Sequence, residues 1–125
     1  MTDIQKQKIQ WLSRAFQEEQ LLSAMLSVRK QQKQFLRETD SVPECSLLML
    51  QLEALEKEIH QQTIQLALVR EEIRSALAQI PDIPAQAICL RKYLAYETNE
   101  QIAEEMFYDV RTVQRKHKTA LEFIP

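Results

Sequence analysis

The strongest regularity in the chain is a stripe of residues stepping alternately by four and three: Leu48, Leu52, Leu55, Ile59, Gln62, Leu66, Val69, Ile73, Ala76 and Ile80, nine of the ten apolar. Steps averaging about 3.5 residues keep one side of a helix against a neighbouring helix, so this is a heptad seam sustained for more than four repeats. Gln62 is its one polar position. Buried, an amide there sets register or strand number at some cost in stability; solvated, it faces a wet stretch of the partner.

The ends of this helix are marked. Ser41-Val42-Pro43-Glu44 has the form of a capping box, with Pro in the first turn where its missing N–H costs nothing, and Pro81 stops the helix at Ile80. Upstream, Thr2-Asp3-Ile4-Gln5 is another capping box, opening a helix that meets no Gly or Pro before Thr39-Asp40-Ser41. Its apolar face, Ile4, Trp11, Leu12, Ala15, Phe16, Leu22, Met25, Leu26, Phe35 and Leu36, is broader than a coiled-coil seam and predicts more than one neighbour. The two helices, each roughly 55 to 60 Å long, have matched lengths that suit an antiparallel hairpin.

Beyond Ile80-Pro81-Asp82-Ile83-Pro84, read as a hinge, the pattern shortens. Asp82 caps a helix containing Ile88, Cys89, Tyr93 and Leu94. Thr98-Asn99-Glu100-Gln101 is a third capping box before Ile102, Ala103 and Met106, and Asp109 caps a final helix through Phe123. The expected fold is all-α: a long hairpin or coiled coil at 1–80, then a helix-turn-helix unit at 81–125.

Composition narrows the classes. In 125 residues there is no Gly, where average usage would be roughly 7%, which disfavours sheets, phosphate loops and tight hairpins. Net charge is -2, so any nucleic-acid binding needs local charge segregation. The final helix supplies it. Residues 110–121 hold Arg111, Arg115, Lys116 and Lys118 and no acid, whereas Glu97 to Asp109 hold five acids and no base. At about 100° per residue, Val113, His117, Ala120, Leu121 and Ile124 fall on one side and Arg111, Arg115 and Lys118 on the other. A cationic helix face of this kind suits a DNA groove, where phosphates supply affinity and Arg or Gln reads base edges. It is also what an ordinary solvated helix presents. The basic stretch Arg29, Lys30, Lys33 and Arg37 reads as a solvated face, with phosphate contact the alternative.

No Ser/His/Asp set, paired-acid motif, P-loop or Gly-rich fingerprint supports an enzyme, and no cofactor site is read. Cys45 and Cys89 lack a C-x-x-C or a His partner at ligand spacing, so no metal site or disulfide framework is expected. His60 is isolated, and His117 reads as a packed, hydrogen-bonded residue. Neither a signal peptide nor a membrane span is expected, and a bacterial cytoplasm is the anticipated compartment.

The stretch Lys92-Tyr93-Leu94, Thr98-Asn99-Glu100-Gln101-Ile102-Ala103-Glu104-Glu105-Met106 and Tyr108-Asp109-Val110-Arg111-Thr112-Val113-Gln114-Arg115-Lys116-His117, followed by Ala120-Leu121, resembles the helix-turn-helix of sigma-factor region four. More closely, it resembles small phage-encoded transcriptional regulators of the ArpU and RinA type, over about residues 80–123. The resemblance implies a sequence-specific regulator that activates phage late genes. Its partners would be double-stranded promoter DNA and host RNA polymerase. Arg111, Thr112, Gln114, Arg115 and Lys118 form the expected DNA face, and the long helices a homodimer contact; no membrane or small-molecule substrate is expected. Two other classes stay open: a phage terminase small subunit, and a protein that docks on RNA polymerase without binding DNA. Tyr96 and Phe107 stand at turn positions where such families often carry Gly, Asn or His, so a left-handed backbone there would be strained. Phe107 and Tyr108 are expected to close the small core, with an exposed partner contact as the alternative.

Overall fold

The computed structural model describes residues 1–125, and the chain is all-α. Six helices run in order: α1 Asp3–Leu12, α2 Arg14–Glu38, α3 Val42–Leu77, α4 Ile83–Tyr93, α5 Asn99–Met106 and α6 Val110–Ala120, which tightens into a 3₁₀ turn at Leu121–Phe123. No helix is long and apolar enough to cross a membrane.

The capping residues act as their chemistry requires. Thr2 and Gln5 form a complete capping box on α1, Thr98 and Gln101 another on α5, and Asp82 accepts from the Ala85 amide at the start of α4. At α3 the expected Ser41–Glu44 capping box is not formed: Ser41 contributes only its carbonyl, to the Cys45 amide.

Two helix boundaries differ from the sequence pattern. The predicted first helix is interrupted at Ser13, whose hydroxyl and amide both bond the Ile9 carbonyl while the Arg14 Nε takes the Trp11 carbonyl. Thr63 makes the same bond to the Ile59 carbonyl inside unbroken α3, so the hydroxyl alone does not break a helix, and apolar periodicity does not register the interruption. The seam helix is continuous through Gln62 but ends at Leu77. Its last turn tightens, with Gln79 and Ile80 bonding three residues back, and the Gln86 side chain donates to the Leu77 carbonyl.

The chain divides into two compact units, one formed by Met1–Phe16 with Leu68–Pro125 and the other by Gln17–Ala67. This partition differs from the 1–80 and 81–125 division expected from the sequence. Residues on both sides of the Pro81 turn belong to one unit, where Ile80 is buried, so that turn is not a boundary between units. The reason lies in burial. Val69, Ile73, Ala76 and Leu77 are buried in the first unit, as are Leu12 and Ala15, together with Ile88, Cys89, Val113 and Leu121. Lys8 of α1 donates to the Leu121 carbonyl at 2.9 Å, and Arg14 pairs with Glu72 at 2.8 Å.

The Gln17–Ala67 unit is an antiparallel helical hairpin. Its pairings run in opposite directions: Gln62 with Glu18, Arg29 and Lys33 with Glu56. Gln62, 9% exposed, donates to both the carbonyl and the carboxylate of Glu18, which makes it the buried amide of the two sequence alternatives. Two helices cover their seam only partly: Ile59 and Leu66 are buried, but Leu48, Leu52 and Leu55 are half-exposed. Of the broad apolar face predicted for the first helix, Ile4, Phe16, Leu26 and Phe35 remain exposed, Leu26 and Phe35 within the hairpin.

Candidate nucleic-acid interface

The C-terminal helices assemble around Ile88 of α4, Ile102 and Ala103 of α5 and Val113 of α6, with Met106, Tyr108 and Val110 packed against them. α6 begins where Asp109 accepts a hydrogen bond from the Thr112 amide at 2.6 Å. Thr112 donating to Asp109, with Arg111 and Arg115 nearby, holds the Asp109 carboxyl below the usual carboxylate range. The carboxylate therefore stays ionised at the positive end of the helix.

Once Val113, His117 and Ala120 are buried, the helical period leaves the other face of α6 in solvent. Of the five residues predicted to contact DNA, Arg111, Gln114, Arg115 and Lys118 are exposed and Thr112 is half-buried. Arg111, Thr112 and Arg115 line one open depression with Asp109, about 160 Å³ in volume. Arg111, Arg115 and Lys118 take part in none of the chain's ion pairs. Lys116 lies elsewhere, half-buried and 3.8 Å from Asp82.

The acids before α6 are partly neutralised. Arg91 of α4 pairs with both Glu97 and Glu105, and Asp109 caps α6, which leaves Glu100 and Glu104 as the unpaired carboxylates of that stretch. Arg91 is the site-shaping residue that sequence reasoning missed. Its partners lie six and fourteen positions away, and no local spacing rule links them. Charge also separates between the units: 11 Lys and Arg against 10 Asp and Glu in the unit carrying α6, and 5 against 8 in the hairpin.

The turn from α5 to α6 contains a correction. Tyr108 packs on the small core as predicted, but Phe107 is 94% exposed and closes nothing. It sits at φ 59°, in the left-handed region, with its amide bonded to the Ala103 carbonyl. Tyr96 has the same φ, but its hydroxyl accepts from Arg70 at 2.9 Å and its ring meets Phe16 edge-on at 5.4 Å. In a chain without Gly, a left-handed helix end falls on a residue with a Cβ, at a cost of about 1–2 kcal/mol.

Cys89 is fully buried, and burial pushes its thiol up to about 12, so it behaves as a small apolar residue. No three His, Cys, Asp or Glu side chains converge as a set able to hold a metal ion. Comparison of the chain with protein-family models, curated proteins and solved structures finds no match.

Proposed function

We propose that this chain is a sequence-specific DNA-binding transcriptional regulator, with α6 lying in the major groove. The observation that carries this reading is the solvent face of α6, where three cations without carboxylate partners and one amide stand on a helix anchored by its opposite face. Arg and Lys that close no ion pair keep charge to offer phosphates, with Asp109 near Arg111 and Arg115 offsetting part of it. Arg and Gln have the donor and acceptor geometry to read guanine and adenine edges. The three-residue turn between α5 and α6 fits a helix-turn-helix unit, whose second helix is the reader. Activation of phage late genes, with host RNA polymerase as a contact, rests on the resemblance of residues 80–123 to the ArpU and RinA type.

One observation favours a second reading, docking on a protein: Phe107 holds an almost fully exposed aromatic ring at the C-terminal end of α5, the helix that carries the unpaired Glu100 and Glu104. The two readings separate in a titration of DNA from the protein's own promoter region. Removal of both Arg111 and Arg115 by alanine substitution, with the helical circular dichroism unchanged, is expected to abolish selective binding. Unchanged affinity and selectivity would remove α6 as the reader and leave the docking role.

A further inference from the structure

Phe107 is the most exposed large apolar side chain of the protein, and it stands in the turn that feeds α6. The turn itself needs a left-handed residue there. At φ 59° the amides of Phe107 and Tyr108 both reach the Ala103 carbonyl, and the chain passes from α5 to α6 in three residues. Glycine or asparagine serves that geometry with less strain than a residue carrying a bulky ring. Tyr96 bears the same strain but recovers it through Arg70 and Phe16. Phe107 recovers nothing, because Met106, Tyr108 and Val110 around it pack on the small core while its own ring stays in solvent. A strained backbone that holds an unpacked ring points to a role outside the fold.

Placement, charge and size narrow that role. Asp109, two residues on, caps α6 and lines the open depression shared by Arg111, Thr112 and Arg115. The ring is therefore tethered to the N-terminal end of α6, the end that a helix-turn-helix unit presents to base edges. A phosphate is disfavoured, since the ring is uncharged and Glu104, three positions back, closes no ion pair. A protein partner is poorly served: one aromatic ring buries about 150–250 Å², whereas a stable interface takes about 800 Å² from each side. The exposed residues nearest in sequence, Glu104, Glu105, Asp109 and Arg111, are charged, where an interface core is depleted of charge. A thymine C5 methyl asks for only one apolar side chain at the major-groove edge, and phenylalanine is among the residues that meet it.

We propose that Phe107 is a specificity-determining residue that contacts the C5 methyl of a thymine beside the bases read by α6. This inference rests on the reading of α6 as a DNA-binding helix. Arg111, Gln114 and Arg115 then read hydrogen-bonding edges, and Phe107 reads the methyl group at the boundary of the same site.

The test is binding of the full chain to DNA from its own promoter region, with each thymine replaced in turn by deoxyuridine, which lacks only the C5 methyl. At one thymine the wild-type chain is expected to lose affinity about three- to fivefold, the transfer value of one buried methyl-sized group. Phe107→Ala should bind the unmodified DNA that much more weakly and lose nothing further at that position. This coupling separates the ring from Thr112, whose own methyl can meet a thymine. Phe107→Asn, which suits φ 59°, should bind as weakly as Phe107→Ala while melting at a higher temperature than wild type, a combination that a purely structural ring does not give. Full affinity in both Phe107 variants, or no thymine coupled to Phe107, overturns the proposal and leaves the ring to a protein partner. If the Arg111/Arg115 double alanine variant loses selective binding in the same assay, that failure is confined to Phe107; if it does not, the reading of α6 falls as well.

Discussion

The hydroxyl of Tyr93, at the end of α4, is hydrogen-bonded to Nε2 of His117, in the last turn of α6, and the two rings lie 5.6 Å apart at centroid. Burial raises the tyrosine above its ordinary value and lowers the imidazole to about 4, with the Lys92 cation adding to the second effect. Neutral His117 therefore accepts from the phenol, and the pair joins the first and last helices of the C-terminal group.

Because the folded imidazole titrates near 4 and an unfolded one near 6.5, the unfolded chain binds more protons between those values. Stability is expected to be fully present above pH 6.5 and to fall as pH drops toward 4. At 1.36 kcal/mol per pKa unit, the loss is on the order of 3 kcal/mol. Denaturant melts at stepped pH measure it, and His117→Leu should flatten this window.

The two left-handed residues should respond oppositely to relief of strain. Phe107→Asn removes an exposed ring and suits φ 59°, so it is expected to raise stability by about 0.5–1 kcal/mol. Tyr96→Gly relieves the same strain but loses the Arg70 hydrogen bond and the Phe16 contact, and should cost about 1–2 kcal/mol. Thermal melts of the two variants decide the signs.

Two glutamines in the hairpin offer a similar contrast. Gln32 holds its Oε1 buried without a hydrogen-bond partner, whereas the Gln62 amide nitrogen donates twice to Glu18. Gln32→Leu should stabilise the hairpin by about 1 kcal/mol, since it removes an unsatisfied acceptor. Gln62→Glu sets a second carboxylate against Glu18 and should destabilise by about 1–3 kcal/mol at neutral pH, with part of the loss recovered in acid.

On the proposed DNA face, Arg115 and Lys118 should separate by readout. If Arg115 makes a bidentate base contact, Arg115→Ala costs roughly 1–3 kcal/mol and relaxes preference at one base pair. Lys118→Ala should weaken all sequences alike and reduce the salt slope by about one, as for a phosphate contact. Titrations on promoter and scrambled DNA at several salt concentrations resolve both.

Much of the architecture is legible in local chemistry. Caps at Thr2, Asp82, Thr98 and Asp109 lie within three residues of the amides they satisfy, and the 3.6-residue period is enough to bury Val113 and His117 while leaving Arg111, Arg115 and Lys118 exposed. The one-residue break at Ser13 leaves the apolar pattern unchanged, so periodicity does not reveal it.

The sequence by itself determined the helical class, the seam through Gln62 and the charge-bearing face of α6, because each follows from neighbours within one or two turns. Only the tertiary structure decided that α1 and the end of α3 belong to one compact unit with α4 to α6. It also decided that Tyr93 meets His117, that Arg91 takes both Glu97 and Glu105, and that Phe107 stays in solvent while Tyr108 packs. These outcomes depend on which surfaces from distant segments compete for the same buried volume, and a helical period carries no information about that competition.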